Sequence, residues 1–143
     1  MTGVAIIGCG LIGGKRAQAL AGARLVACAD VLPDRARALA QTVSGASACD
    51  DWNTAVRDSA VGIVIVATTN DALAPVTLAA LEAGKHVLVE KPAARSVEEI
   101  ERLIAAEQAS GGADGVGVFP DAAASGGGWR ARGHADCRNR GRC

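Results

Sequence analysis

The sequence predicts an α/β fold, a doubly wound, mostly parallel sheet with helices on both faces. Short continuous apolar runs, typical of strands buried on both faces, alternate with segments of about 10 to 15 residues that suit helices. Half of the 143 residues are hydrophobic and only 2% are aromatic, so Ala, Val, Leu and Ile must form most of the core. A glycine-rich turn joins the first apolar run to the first helical segment, as such folds require.

Six segments are predicted as strands because each is a short apolar run next to turn residues. In chain order they are 4–7, 24–30, 46–49, 62–67, 86–89 and 115–119. The run GIVIVA at 62–67 has the strongest strand pattern, whereas 46–49 predicts only a short strand. Since helical segments separate these runs, the strands are expected to pair in parallel through right-handed crossovers.

Five segments are predicted as helices: 11–21, 33–42, 52–57, 73–83 and 96–110. Ile12 is expected on the inner face of the first helix. Pro33 suits the first position of its helix, and Pro75 falls in the first turn of its own, where proline is tolerated. Ser96 and Glu99 have the S-x-x-E spacing of a capping box, which marks the start of the last helix.

The glycine-rich turn reads GCGLIG at 8–13, a G-x-G-x-x-G that follows a strand and opens a helix. Gly8 allows the tight turn, Gly10 lets the backbone approach a pyrophosphate, and Gly13 lets the helix pack closely on the strand. Leu11 and Ile12 begin the helix whose N-terminal N–H groups favour phosphates. These five residues are therefore predicted to bind a dinucleotide; a glycine turn without a ligand is the alternative.

Asp30 ends the second strand 17 positions after Gly13, near the place of the acid that binds the adenosine ribose hydroxyls. A carboxylate there repels a 2′-phosphate, so NAD is favoured, while Arg35 and Arg37 nearby leave NADP possible. The alternative is that Asp30 is only a turn or cap residue. Cys9 is interpreted as a small packing residue rather than a reactive thiol.

Three segments resemble one family, the glucose-fructose oxidoreductase, inositol dehydrogenase and rhizopine-catabolism (Gfo/Idh/MocA) group. They are VAIIGCGLIGG at 4–14, VIVATTN at 64–70 and LEAGKHVLVEKP at 81–92, of which the last is the most specific. The resemblance covers roughly residues 3–112. It implies a Rossmann domain that binds NAD or NADP. Members of the family transfer hydride between the nicotinamide and a hydroxyl-bearing carbon of a sugar, inositol or related polyol.

The resemblance also assigns site residues. Those placed beside the cofactor are Ala67, Thr68, Asn70, Glu90, Lys91 and Pro92, with a Lys-Pro bond that can be cis. Lys91 is implied to be the catalytic lysine. It lies just past the carboxyl end of a strand, where a cation can lower the pKa of a substrate hydroxyl. Glu90 is expected to balance its charge; a surface ion pair is the alternative interpretation.

The sequence also departs from the family pattern. Thr69 and Leu73 replace the proline and histidine of the family's A-T-P-N-x-x-H segment, and His86 is interpreted as structural. Family members continue into a second domain that binds substrate and supplies a histidine. Residues 120–143 show none of the pattern expected for it.

Two domains are therefore assigned: a dinucleotide-binding Rossmann domain at 1–119 and an irregular basic tail at 120–143. The tail holds five of the 15 Lys+Arg and two of the 15 Asp+Glu. It is interpreted either as a basic extension with an unknown partner or as out-of-frame sequence after a frameshift near residues 115–122. Its His and Cys spacing fits no standard zinc site, so no metal is predicted.

These features predict the NAD(P)-binding part of an oxidoreductase acting on a polyol or sugar, truncated before its substrate domain. The alternatives are a stand-alone nucleotide-binding module without turnover and a non-functional frameshifted fragment. A formal net charge of zero and few aromatic residues argue against nucleic acid as a partner. No apolar run approaches the roughly 18 residues of a membrane span, and no signal peptide is recognised, so a cytoplasmic location is expected.

Overall fold

The computed structural model describes residues 1–110 and the backbone of 116–118. Within these residues, strands and helices alternate. The strands are β1 Gly3–Ile7, β2 Arg24–Ala29, β3 Ser47–Cys49, β4 Ile63–Val66, β5 His86–Val89 and β6 Val116–Val118. The helices are α1 Leu11–Gln18, α2 Pro33–Gln41, α3 Trp52–Arg57, α4 Asn70–Glu82 and α5 Val97–Ala109.

The six strands form one parallel sheet in the order β3-β2-β1-β4-β5-β6. From β1 the chain runs outward through β2 and β3, then returns to the other side of β1 and continues through β4, β5 and β6. The strand order therefore reverses between β1 and β4. Ligand crevices in such sheets form outside the carboxyl ends of the strands at this reversal.

Helices cover both faces of the sheet, as the sequence predicts. On one face α1 and α2 enclose a cluster that includes Ile6 and Leu39. On the other face α3, α4 and α5 enclose a larger cluster that includes Val66, Leu81 and Leu103. Full burial of one such side chain stabilises the fold by about 1.5–3 kcal/mol, so these two layers hold the strand ends in place.

The first helix differs from its prediction. It ends at Gln18, three residues before the predicted end, and Gly22 has its positive φ of 94° in the turn that follows. Ile12 was expected on the inner face but is 41% exposed, so that prediction is wrong. Gly13 is the buried residue of the helix. Because Gly13 makes the contact with the sheet, the preceding side chains face outward.

The fourth helix also begins elsewhere. It starts at Asn70 rather than at 73, with Thr69 as its N-cap, so Pro75 lies inside the helix and not in its first turn. Proline has no backbone N–H, so the helix lacks the hydrogen bond that would otherwise reach the carbonyl four residues earlier, that of Asp71. Both residues are exposed, so water can bond to that carbonyl.

The boundary at 119, the predicted tail 120–143 and the side chains of the sixth strand lie outside the described residues. No helix in the described part of the chain is both long enough and apolar enough to cross a membrane.

Candidate cofactor-binding and active site

The glycine turn is pressed against the end of β4. Gly8 has a φ of 94°, and its N–H donates to the Ala29 carbonyl at 2.8 Å. A Cβ at Gly8 would collide with the backbone carbonyl of Ala67, and a Cβ at Gly13 would collide with the carbonyl of Gly8. Both positions therefore require glycine for steric reasons that the structure itself supplies.

Gly10 is different, because the space in front of it is open. A Cβ there would have as its nearest neighbour only Arg35 Nη1, at 4.0 Å. Gly10 caps α1, whose first turn contains no acidic residue. The N–H groups of that turn have no partner within the helix and carry partial positive charge. The backbone is thus open to an anionic ligand such as a diphosphate.

Exposed apolar side chains flank this opening. Leu11 is 76% exposed and Ile12 41%, and both stand at the start of α1. Val31 and Leu32 are also exposed, directly after β2. Apolar side chains beside a phosphate-binding turn are suited to contact the flat rings of a dinucleotide. The residues present therefore fit a dinucleotide.

Asp30 bridges the turns that follow β1 and β2. Its Oδ2 accepts the Cys9 N–H at 2.7 Å, and its Oδ1 accepts the Leu32 N–H at 2.8 Å. The Asp30 carboxylate therefore stabilises both turns. Each carboxylate oxygen still has a second lone pair, so the side chain can also accept hydrogen bonds from ribose hydroxyls.

Cys9 is buried, in agreement with its interpretation as a packing residue. Its Sγ donates to the Ala29 carbonyl at 3.4 Å. A hydrogen bond with the Cys28 thiol and burial raise the pKa of the Cys9 thiol far above its usual range. A thiol held in its protonated form is a poor nucleophile.

The segment after β4 lies beside the glycine turn. The Ala67 N–H donates to the Ile7 carbonyl at 2.8 Å, so Ala67 continues the pairing of β4 with β1. Thr68 is half-buried, and Asn70 is the exposed first residue of α4. Leu73, at the position of the family's histidine, is only 1% exposed and belongs to the core.

The segment after β5 carries the charged pair Glu90 and Lys91. The Glu90 N–H donates to the Val66 carbonyl at 2.9 Å, which holds this segment against β4. Lys91 and Pro92 are exposed, and the peptide bond between them is cis. These residues therefore lie at the same sheet edge as the glycine turn.

The carboxylate of Glu90 contacts a residue that the sequence interpretation missed. Arg16 Nε donates to Glu90 Oε1 at 2.6 Å, and the two side chains are 23% and 15% exposed. Glu90 was expected to balance the charge of Lys91, and the structure gives its carboxylate Arg16 of α1 as an ion-pair partner. The two partners are 74 positions apart, so no local spacing indicates the contact.

Other candidates lie away from this edge or have other partners. His86 begins β5 and so lies at the amino end of the sheet, opposite the crevice. Arg37 pairs with Asp34 at 3.1 Å and with Asp50 at 3.9 Å, while Arg35 lies next to Gly10. Within the described residues, no group of three or more His, Cys, Asp or Glu side chains could hold a metal ion.

The predicted site residues therefore meet at one edge of the sheet. Those at the carboxyl ends of β1, β2, β4 and β5 are Gly8, Gly10, Leu11, Ile12, Gly13, Asp30, Ala67, Thr68, Asn70, Glu90, Lys91 and Pro92. Residues 2–118 match the family described as an oxidoreductase family with an NAD-binding Rossmann fold. The chain belongs to the Gfo/Idh/MocA oxidoreductase family. It carries the NAD-binding Rossmann domain of that family.

Similar proteins agree with this assignment. Inositol 2-dehydrogenase of Salmonella typhimurium is 37% identical over 111 residues, which are 74% of this chain and 33% of that protein. GenD2 from gentamicin A biosynthesis, solved with NAD, has a TM-score of 0.75 and 30% identity over 82% of this chain and 34% of its own.

A third similar protein is the myo-inositol dehydrogenase of Lactobacillus casei, solved with NAD(H) and myo-inositol. It has a TM-score of 0.72 and 26% identity over 76% of this chain and 34% of its own. The chain thus spans about a third of the length of the relatives it matches.

Proposed function

We propose that this domain holds NAD(H) across the carboxyl ends of β1 and β4, and serves hydride transfer to or from a polyol when a substrate domain completes the site. The observation that carries the proposal is the open backbone at Gly10, set between two glycines where no side chain fits. The diphosphate would lie over Gly10 and the first turn of α1, with Leu11 and Ile12 beside it.

The two ends of the cofactor would then lie on opposite sides of this turn. Asp30, after β2, would accept hydrogen bonds from the adenosine ribose. Ala67, Thr68 and Asn70, after β4, would line the path to the nicotinamide. Glu90, Lys91 and Pro92 follow β5, so they would lie near the reacting ring.

Lys91 is the proposed catalytic residue. A bound nicotinamide supplies the acceptor or donor of hydride. The Lys91 ammonium would donate a hydrogen bond from Nζ to the substrate hydroxyl and lower its pKa, so that a base of the completing substrate domain could take the O–H proton as the C–H hydride passes to the nicotinamide. The exposure of Lys91 at the end of β5 supports this role, because a side chain there can reach a substrate bound above the crevice.

The proposed substrate class is a polyol such as an inositol. Relatives in Salmonella typhimurium and Lactobacillus casei are inositol dehydrogenases, and the structure from the latter contains myo-inositol. Lys91, which the family resemblance implies acts on the hydroxyl, stands here between Glu90 and Pro92.

Cofactor choice can be measured on the chain as it is. Isothermal calorimetry should give tighter binding of NADH than of NADPH, because the Asp30 carboxylate repels a 2′-phosphate. Asp30→Ala should weaken NADH binding and narrow that preference. Equal affinity of the unsubstituted chain for both cofactors would contradict the role proposed for Asp30.

The role of Lys91 is tested in a fusion protein that also contains a substrate domain. Residues 1–118 would be joined to the remainder of the Salmonella typhimurium inositol 2-dehydrogenase, and NAD reduction by myo-inositol would be followed by absorbance. Lys91→Met should lower kcat at least about a hundredfold, the usual contribution of general acid–base catalysis, with NADH binding retained. The matched control is Lys15→Met, an exposed lysine of α1. Unchanged kcat in the Lys91 variant would exclude the proposed role.

A second candidate function is a nucleotide-binding module without turnover. One observation favours it: in the described residues the single histidine, His86, lies at the far end of the sheet from Lys91. The module would bind NADH but oxidise no polyol by itself. Failure to bind NADH would leave the third interpretation, a non-functional fragment.

A further inference from the structure

The Arg16–Glu90 ion pair crosses the crevice where the strand order reverses. Arg16 belongs to α1, which follows β1, and Glu90 follows β5. Strand β4 lies between β1 and β5 in the sheet. The contact between Arg16 Nε and Glu90 Oε1, at 2.6 Å, therefore passes over the carboxyl end of β4. This ion pair joins α1, the helix after the glycine turn, to the Glu90–Lys91–Pro92 segment.

This pair is more sheltered than the Arg37–Asp34 and Arg95–Glu99 pairs. Its side chains are 23% and 15% exposed, whereas the arginines of the Arg37–Asp34 and Arg95–Glu99 pairs are 58% and 55% exposed. Water screens a sheltered pair less, and loss of one partner leaves a charge without its compensation. Loss of Arg16 would leave the Glu90 carboxylate unpaired at the end of the site where the nicotinamide is proposed to lie.

A backbone hydrogen bond fixes the start of the segment that follows β5. The Glu90 N–H is held by Val66, but Lys91 and Pro92 beyond it are exposed. The second attachment of Glu90 is its side chain on Arg16. Without it the unpaired carboxylate would turn to water in the open crevice, and the segment that carries Lys91 beside the nicotinamide end of the site would lose its attachment to α1.

We infer that Arg16 is a positioning residue for the nicotinamide end of the site: it neutralises Glu90 and holds the segment that carries Lys91 against α1. This inference rests on the proposed NAD site. Arg16 lies outside the G-x-G-x-x-G fingerprint, and the role is indirect, since it acts through Glu90. It predicts that Arg16 matters for the nicotinamide half of the cofactor and little for the ADP-ribose half.

The test is calorimetric titration of the whole chain with NADH and, separately, with ADP-ribose, which lacks the nicotinamide. Arg16→Gln should raise the Kd for NADH roughly tenfold, the effect of losing one hydrogen bond to a charged group. The Kd for ADP-ribose should change less than about threefold, well below that tenfold step. Glu90→Gln should weaken NADH binding less than Arg16→Gln, because it leaves no uncompensated carboxylate.

The double variant Arg16→Gln with Glu90→Gln separates the two possible roles of Arg16. If Arg16 acts through Glu90, the double variant should regain part of the NADH affinity lost in Arg16→Gln. If Arg16 instead binds the cofactor phosphates directly, the double variant will be no better than Arg16→Gln, and ADP-ribose binding will fall as well. That second pattern would overturn the inference.

Two further variants guard against a loss of folding. Arg16→Lys keeps the charge and should retain most of the NADH affinity. Arg102→Gln is the control for removal of a positive charge, because it replaces an exposed arginine of the remote α5. Thermal melting accompanies each titration. If Arg16→Gln does not fold, the same two titrations of Glu90→Gln and Arg16→Lys test the inference instead. Equal losses of NADH and ADP-ribose affinity in these two variants would overturn it. A chain that binds neither ligand refutes the proposed function, whereas one that binds NADH equally with and without Arg16 refutes this inference alone.

Discussion

Gly13 and Gly14 are adjacent in α1, but they have opposite surroundings. A Cβ at Gly13 would collide with the backbone carbonyl of Gly8, whereas a Cβ at Gly14 has nothing within 4 Å. Gly13→Ala should therefore lower the free energy of unfolding by about 1–3 kcal/mol, the usual cost of overpacking. It should also abolish NADH binding, since the glycine turn must move. Urea denaturation and NADH titration measure the two effects.

Gly14→Ala is the matched control for that variant. Alanine in a helix interior is favoured over glycine by about 0.5–1 kcal/mol, so this variant should be slightly more stable and should still bind NADH. If both variants behaved alike, the close contact of Gly13 with the first glycine of the turn would not be the reason for glycine at 13.

At the residue scale the sequence predicts part of the site. The glycine turn is recognisable from its spacing, because its steric requirements are local. The two hydrogen bonds of Asp30 and the pairing of Arg16 with Glu90 cannot be recognised from the sequence, because each depends on how strands far apart in sequence are placed. The exposure of Ile12 was also missed: a helical pattern does not reveal which residue touches the sheet.

At the scale of elements, α5 has the clearest start signal. Ser96 Oγ accepts the Glu99 N–H at 3.2 Å, and Glu99 Oε2 accepts the Arg95 N–H at 2.7 Å. Ser96→Ala should lower the free energy of unfolding by about 1 kcal/mol, the typical value of an N-cap, without changing NADH affinity. Ser44→Ala, at an exposed serine in a turn, should have no measurable effect. Chemical denaturation of the three proteins checks this.

The same helix start predicts a dependence of stability on pH. The hydrogen bond from the Arg95 N–H lowers the pKa of Glu99 below its ordinary value of 4.5, and a hydrogen bond from its own backbone N–H lowers that of Glu98. A carboxyl with a lower pKa in the folded state contributes stability that is fully present above 4.5. That contribution is lost as the pH falls through the folded value.

Denaturation between about pH 6 and 3 measures this contribution, and Glu99→Gln should reduce the slope of stability against pH. The matched control is Glu107→Gln, near the other end of the same helix. An unchanged slope in Glu99→Gln would show that other carboxylates account for acid sensitivity.

Element types were predicted well and element boundaries less well. All six described strands and all five described helices overlap the segments predicted for them, because burial on both faces of a parallel sheet leaves a plain sequence pattern. The start of α4 was placed three residues late. Pro75 indicated a first turn, but its exposed position lets the helix continue past it.

At the scale of the whole molecule, the strand order brings together segments that are distant in sequence. The reversal between β1 and β4 puts the glycine turn, the end of β4 and the Glu90–Lys91 segment at one edge. The fold class was predictable from alternation alone. The shared edge follows from the fold class, whereas the side-chain bridge across it does not.

Mapping where NAD⁺ binds on the chain is the most direct test of the proposed site. A titration of ¹⁵N-labelled protein followed by amide NMR shifts should give saturable changes at Gly8, Gly10, Asp30, Thr68 and Glu90, at the carboxyl edge of the sheet. The amides of Gly62 and His86, at the amino edge, should stay unchanged. Saturable changes confined to the carboxyl edge are the predicted result; no saturable change, or changes centred on the amino edge, would contradict the central claim.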